Sequence, residues 1–169
     1  AEQFIAKRRV DSGFSTTILA GFPWFGDWGR DTFISLPGLL LSTGRFDEAK
    51  SILTYFAGTA ENGMIPNCFD DTSHTAYFNS VDASLWFVDA AFRYLHTSGD
   101  TKGFSQDFLP VIRRIMDSYQ KGTRFGIRAD ADGLITAGNE QTQLTWMDAK
   151  YGDTAFTPRY GKAVEVNSL

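Results

Sequence analysis

The chain has 169 residues, of which 43% are hydrophobic and 21% charged, which is enough for one globular core. The formal net charge is −4, and because an acidic chain without a basic stripe binds nucleic acid poorly, we expect no nucleic-acid partner. The longest apolar run, near residues 36–41, is far too short to span a bilayer, and one cysteine, Cys68, excludes an intrachain disulfide. No signal peptide opens the chain, and we expect a cytoplasmic protein without a membrane partner.

The apolar periodicity predicts a mostly helical chain. Apolar residues recur at helical spacing in the clearest segment, 46–60, and an Asp-Gly pair at 132–133 indicates a hairpin turn. In chain order, the pattern predicts the end of a helix at 1–9, a short strand at 16–20 and a helix from Asp31 or Thr32 to Leu41. Pro37 either kinks this helix or marks its true start. Further helices are predicted at 46–60, 81–96 and 104–122, followed by a hairpin formed by 125–128 and 134–136 and a final helix from about residue 162.

These elements form helix pairs joined by alternating short and long loops, in units of roughly 40–50 residues, as in an array of α/α hairpins. The long loops carry the Trp, Asp, Arg and Asn residues. Since long ordered loops at one end of a helical scaffold often hold functional sites, we expect a site there, within one domain that spans residues 1–169.

The segment from Phe25 to Thr32 places two carboxylates, a guanidinium and a tryptophan among glycines, directly before an apolar helical run. An indole offers a flat apolar face, and Arg30 and Asp31 offer forked donors and acceptors, so the segment suits a hydroxyl-rich ligand. Glycines on each side of Trp28 allow the backbone to approach a ligand closely. A structural alternative stays open, in which Asp31 caps the helix and forms an ion pair with Arg30.

A second cluster, at 144–150, places Trp146 two residues before Asp148 in a loop. An aspartate against an indole is a candidate general acid, because an apolar neighbour favours the protonated carboxyl group. Glycoside hydrolysis needs two carboxylates, one to protonate the leaving oxygen and one to activate water or attack. Spacing alone leaves six candidates open: Asp27, Asp31, Asp82, Asp148, Asp153 and Glu165. Together the two clusters indicate a carbohydrate-active enzyme.

Five segments carry a further resemblance, and they follow one another in order along almost the whole chain: residues 25–34, 63–67, 80–83, 143–150 and 157–165. They resemble the C-terminal amylo-α-1,6-glucosidase domain of glycogen debranching enzymes. The Trp-Gly-Arg-Asp of 28–31 and the Thr-Trp-Met-Asp of 145–148 are specific when they occur together. The pair Arg30-Asp31 is also similar to the Arg-Asp pair with which glucoamylases hold the terminal glucose.

The resemblance implies a fold and an activity. The fold is an α/α toroid of six helical hairpins, of which we expect this chain to cover roughly the first half. The activity is inverting hydrolysis of the single glucose left at an α-1,6 branch point of glycogen or limit dextrin. No cofactor or metal is required, because protonation of the leaving group does the chemical work.

The resemblance also assigns roles to residues. Asp148 matches the family's general acid, and Trp28, Arg30 and Asp31 match the pocket for the non-reducing-end glucose. Asp82 matches a position that lines this pocket, and Trp146 joins the substrate-binding set. The family's general base is a Glu in the second half of the toroid, so we expect it in the remainder of the parent polypeptide and expect these 169 residues to be inactive alone.

Two alternatives remain open from the residues. One is another glycosidase on the same toroid, similar to a glucoamylase or a trehalase. A comparison of activity on α-1,4 and α-1,6 linkages would distinguish it from an amylo-α-1,6-glucosidase. The other is a non-catalytic glycan-binding module that holds an oligosaccharide through Trp28 and Arg30. In such a module the change Asp148→Asn would leave all function intact.

Overall fold

Helices make up most of the regular structure in residues 2–10, 13–70, 73 and 75–169, which the computed structural model describes. Helix accounts for 43% and strand for 19% of the structure, so the prediction of a mostly helical fold is confirmed. The helices are α1 (Gly29–Leu36), α2 (Phe46–Gly58), α3 (Ala83–Ser98), α4 (Thr101–Gly103) and α5 (Leu109–Lys121), with π turns at Pro37–Leu41 and Phe104–Phe108 and 3₁₀ turns at Glu2–Phe4 and Arg124–Gly126.

Among the residues that the structure describes, the strands form four separate antiparallel pairs. They are β1 (Ile5–Val10) with β2 (Gly13–Ile18), β3 (Cys68–Phe69) with β4 (Ala76–Tyr77), β5 (Arg128–Ala129) with β6 (Ile135–Thr136), and β7 (Lys150–Tyr151) with β8 (Thr154–Ala155). The pair β5–β6 is the hairpin predicted from the Asp-Gly turn. The pairs β3–β4 and β7–β8 were not predicted, because two-residue strands leave too short a pattern to detect.

The predicted helix end at residues 1–9 is wrong. After one 3₁₀ turn the chain forms β1, which pairs with β2 from Ile5 opposite Ile18 to Val10 opposite Gly13. The basic run that suggested a helix C-terminus instead places the buried Arg8 next to Asp27, which lies 19 residues away. This ion pair and the β-branched residues of β2 favour the hairpin, and neither is visible in the local charge pattern.

The helix predicted from Asp31 begins two residues earlier, at Gly29, so Asp31 lies in its first turn and does not cap it. Pro37 starts the π turn that continues α1, and the Ser42 N–H donates to the Pro37 carbonyl at 2.9 Å. Proline has no backbone N–H and cannot donate a helical hydrogen bond, and the wider π turn accommodates this loss. The helical path therefore bends locally and continues to Leu41.

One aromatic core joins the helices. Phe33 of α1 contacts Phe56 of α2 and Phe87 of α3 edge to face, at ring-centroid distances of 4.8 and 5.5 Å. Phe108 extends this core from α3 towards α5. The Tyr119 hydroxyl of α5 donates to the Val81 carbonyl at 2.7 Å, which holds α5 against the loop that precedes α3. The loops are therefore positioned by helices that share one buried aromatic core.

The predicted final helix from about residue 162 is a turn over residues 164–168 in the structure. The Asn167 N–H donates to the Ala163 carbonyl at 3.2 Å, and the Asn167 side chain also bonds the backbone of Ile135. These contacts with the hairpin hold the segment as one turn, and a single turn is too short to be a stable helix. In the described residues, none of the helices has the length and apolar character needed to cross a bilayer.

Candidate active site

The first part of the site is the junction between the β1–β2 hairpin and α1, where Trp28 precedes the helix in an extended conformation. Trp28 forms an isolated β-bridge with Cys68, and the Gly29 N–H donates to the Asn67 carbonyl at 2.6 Å. A Cβ atom on Gly29 would collide with the Pro66 carbonyl oxygen. Gly29 is therefore needed because the 66–68 segment crosses here, whereas the sequence alone suggested close approach of a ligand.

Arg30 lies at the centre of the site and is 8% exposed. Its Nε and Nη2 atoms both donate to the carboxylate of Asp82, each at 2.8 Å. Ser80 supports this pair, because its hydroxyl donates to Asp82 at 2.6 Å and accepts the Ala83 N–H at the start of α3. The two-pronged geometry fixes the plane of the guanidinium and joins the start of α1 to the start of α3.

A second carboxylate, Asp148, approaches the same guanidinium, with 3.4 Å between its Oδ2 and Arg30 Nη1. Burial alone would lower the pKa of Arg30, but the hydrogen bonds and charges of Asp82 and Asp148 outweigh burial, so this pKa is raised. The side chain of Asp148 is 34% exposed, against 4% for that of Asp82. One cation thus faces two carboxylates, and Asp148 is the one that solvent or a ligand can reach.

Asp148 belongs to a loop that the helical scaffold holds in place. The Leu144 carbonyl accepts the Val81 N–H at 2.8 Å, and Leu144 is itself buried. The buried Thr145 then accepts the Met147 N–H through its hydroxyl at 3.3 Å. The loop therefore leaves the core at Leu144 and presents the next residues to the site.

The first cleft is an open cavity of about 400 Å³ at this place. Five of the six predicted site residues line it together with Ala20 and Phe25: Trp28, Arg30, Asp31, Trp146 and Asp148. The sixth, Asp82, lies behind Arg30 and lines a smaller cavity of about 110 Å³ that also includes Trp86 and Glu165. The ion-pair alternative for Arg30 and Asp31 is wrong, because Arg30 pairs with Asp82 and Asp148.

The structure separates the six candidate carboxylates by their surroundings. Asp27 is 1% exposed and accepts bonds from Arg8 and Thr17. Glu165 pairs with both guanidinium arms of Arg159, whose hydrogen bond lowers the pKa of Glu165. Asp153 lies in the exposed β7–β8 turn, and Asp82 is paired with Arg30 in a buried position. Asp31 and Asp148 line the open cleft.

Two features of the site were missed from the sequence. One is Ser80, which orients the Arg30–Asp82 pair. A serine three residues before the start of a helix is typical of a capping residue, and this position could have identified Ser80 in the sequence. The contact between Arg8 and Asp27 fixes the hairpin next to Trp28, and no local pattern predicts it. In the described part of the chain, no group of three or more His, Cys, Asp or Glu residues is placed to hold a metal ion.

A cleft with indole walls and an arginine paired to carboxylates, built on loops of a mostly helical scaffold, is typical of carbohydrate-active domains. The family model for amylo-α-1,6-glucosidase matches residues 1–169. The chain is also similar to a protein of Saccharomyces cerevisiae named glycogen debranching enzyme, with 32% identity over an alignment of 212 positions. That alignment covers 90% of this chain and 14% of the yeast protein. The chain belongs to the amylo-α-1,6-glucosidase family.

Proposed function

We propose that this site takes part in hydrolysis of the α-1,6-linked glucose at branch points of glycogen or limit dextrin, with inversion at the anomeric carbon. The observation that carries the proposal is the reachable carboxylate of Asp148 beside the Arg30–Asp82 pair, in a cleft walled by Trp28 and Trp146. Family membership and the debranching activity in the name of the yeast relative support the choice of substrate.

In this proposal Asp148 is the general acid. Because Asp82 already neutralises Arg30 through two short bonds, Asp148 can hold a proton without leaving the buried guanidinium unpaired. The protonated carboxyl group gives its proton to the glycosidic oxygen as the C1–O bond breaks. The leaving group departs as an alcohol, and the carboxylate that remains lies within reach of Arg30.

Trp28, Arg30, Asp31 and Trp146 form the pocket for the terminal glucose in this proposal. The indoles offer apolar faces to a sugar ring, and Arg30 and Asp31 offer donors and acceptors for its hydroxyl groups. Asp82 acts from behind the cleft by fixing the guanidinium of Arg30. The fold is part of an α/α toroid of helical hairpins, and the base that activates water is a Glu elsewhere in the full-length protein, roughly 6.5–9.5 Å from Asp148 as inversion requires.

The test is release of glucose from a branched limit dextrin by the full-length protein, with the product anomer followed by NMR as the reaction proceeds. An inverting enzyme releases β-glucose from an α-linkage, so β-glucose should appear first. Release of α-glucose first would contradict inversion, and preference for α-1,4 linkages would favour the glucoamylase-like alternative. Binding of oligosaccharide without any glucose release would favour the non-catalytic glycan-binding alternative.

A further inference from the structure

A second cleft, of about 440 Å³, lies next to the first and shares two of its residues, Trp28 and Asp148. Its other walls come from residues 141–144, from Lys150 and from Asn79 and Phe125. Asp148 therefore lies where the two clefts meet, and neither the resemblance nor the matched family assigns a role to the second one.

The lining of the second cleft combines amide and hydroxyl side chains with two charged side chains of opposite sign, Asp148 and Lys150. The side chains of Asn79, Gln141 and Gln143 each offer amide donors and acceptors, and Thr142 adds a hydroxyl group. Among the described residues, the buried Nε2 of Gln143 has no hydrogen-bond partner in the protein. A buried amide nitrogen without a partner carries a free-energy cost, and a rotation of the Gln143 side chain that turns this nitrogen towards the cleft would let a ligand oxygen remove that cost. Neutral hydroxyl groups match this lining better than a charged ligand does.

Phe125 presents an aromatic face to the same cleft in an unusual backbone conformation. Its φ is 59° and its ψ is 22°, in the left-handed region that bulky residues avoid. The Gly138 N–H donates to its carbonyl at 2.8 Å and holds this conformation, and the ring remains 40% exposed. Strained conformations of this kind persist at ligand sites when the surrounding structure fixes them. An exposed ring beside amide groups is a suitable surface for a sugar.

We propose that the second cleft binds the glucan chain from which the branch-point glucose is cleaved, with Phe125 under a sugar ring and Gln143 bonded to a hydroxyl group. This inference rests on the proposed function, because a general acid must reach the oxygen atom that joins two sugars. With Asp148 at the junction, the terminal glucose occupies the first cleft and the sugar on the leaving-group side occupies the second.

The test compares two substrates of the full-length protein. α-Glucosyl fluoride occupies only the first cleft, because fluoride leaves without a sugar attached, whereas a maltooligosaccharide with a single α-1,6-glucosyl branch needs both clefts. Phe125→Gly removes the ring and also suits a positive φ, so folding should be retained. We expect kcat/KM for the branched substrate to fall about tenfold in this variant, as for loss of an aromatic anchor, with little change for the fluoride.

Three further variants sharpen this test. Phe125→Tyr keeps the ring and should restore most of the activity on the branched substrate that Phe125→Gly loses. Gln143→Leu has a similar shape and removes the unpartnered amide, so thermal stability should hold while the branched substrate alone is affected. Phe14→Gly is the matched control, since Phe14 is 74% exposed on β2 and lines neither cleft.

The possible outcomes are distinct. A loss in Phe125→Gly that is equal for both substrates, or absent for the branched one, would overturn the assignment of the second cleft. A wild-type protein that hydrolyses neither substrate would overturn the proposed function itself. Hydrolysis of both substrates by the wild type, with a selective loss in the Phe125 and Gln143 variants, supports both proposals.

Discussion

Two buried arginine–aspartate pairs lie on either side of Trp28, and they differ in what surrounds them. Asp27 accepts bonds from the Nε of Arg8 at 2.6 Å, from its Nη2, and from a threonine hydroxyl at 2.8 Å. Arg30 makes an equally two-pronged pair with Asp82, with two bonds of 2.8 Å. The two pairs therefore have similar local geometry and similar burial.

The difference lies in where each pair is placed relative to the first cleft. The Arg8 guanidinium lies over the ring of Phe69, 5.1 Å from its centroid, and its partner Asp27 is 1% exposed. The Arg30 guanidinium has a third charge beside it, the partly exposed carboxylate of Asp148. Arg30 and its neighbour Asp148 line the first cleft, whereas neither Arg8 nor Asp27 lines it. We infer that the first pair is structural and the second belongs to the reaction.

The largest effect on turnover is expected at Asp148, the additional carboxylate beside the second pair. Asp148→Asn keeps the shape of the side chain and removes the transferable proton, so turnover of a branched substrate by the full-length protein should fall about 10²–10⁴-fold. Substrate affinity should change little. The control substrate is α-glucosyl fluoride, since fluoride leaves with less need of a proton and should be affected less. Near-normal turnover of the branched substrate would remove Asp148 from the acid role.

The next effect concerns stability at the first pair. Arg8→Met leaves the buried carboxylate of Asp27 without its cation. Breaking a buried pair in this way typically costs about 3–5 kcal/mol of unfolding free energy. Urea unfolding followed by pulse proteolysis measures the loss. The matched control is the double variant Arg8→Met with Asp27→Leu, which replaces the pair by apolar side chains and should recover the part of the loss that comes from the unpaired Asp27 carboxylate.

Activity measurements sharpen the same comparison. If the first pair is structural, the Arg8→Met protein that remains folded should keep the wild-type turnover number. A turnover that falls in both the single and the double variant, with stability unchanged, would contradict the structural role. It would also mean that the two pairs cannot be distinguished by their neighbours.

A smaller effect is expected for Arg30→Lys, which keeps the positive charge and loses the two-pronged bond to Asp82. A charge-assisted bond is worth about 1.5–3 kcal/mol, so kcat/KM should fall roughly 10- to 100-fold. Because Arg30 is proposed to contact the sugar and also lies beside the proposed acid Asp148, loss of its geometry should raise KM and lower kcat together. A change in KM alone would limit Arg30 to uniform binding of the substrate.

The contrast between local and distant contacts also explains how far the sequence predicted the fold. The helices near 46–60 and 81–96 were predicted within about two residues, because an apolar face recurs along each of them. The N-terminal strand was predicted as a helix end, because its hydrogen bonds and its ion pair with Asp27 all involve residues elsewhere in the chain. Periodicity reports local structure and carries no information on such partners.

The site shows the same limit. The motifs around Trp28 and Asp148 identified residues that line one cleft, because clusters of aromatic and charged residues in loops are visible in the sequence. The partners of Arg30 were not visible, since Asp82 is 52 residues away and Asp148 is 118 residues away. Which carboxylate is buried and which is exposed depends on how the loops before α3 and after β6 come together. The catalytic roles themselves stay predictions.

The smallest effect comes from a partly exposed pair, which serves as a reference for the two buried ones. Lys50 Nζ lies 2.7 Å from Asp100 Oδ2, and Asp100 also accepts bonds from the Gly103 N–H and the Tyr94 hydroxyl. The hydrogen bond from Lys50, followed by those of Gly103 and Tyr94, lowers the pKa of Asp100 from 3.8 to about 2. Folding therefore favours the ionised form of this carboxyl group.

The sign of the pH effect follows from this lowered pKa. The contribution of Asp100 to stability is complete above its unfolded pKa of 3.8, and it disappears as the pH falls towards about 2. Urea midpoints of the wild type and of Asp100→Asn should therefore differ at neutral pH and converge over this range. High salt should reduce the difference, because an exposed pair is screened, whereas the loss in Arg8→Met should be nearly independent of salt. Equal salt sensitivity of the two variants would contradict the distinction between exposed and buried pairs.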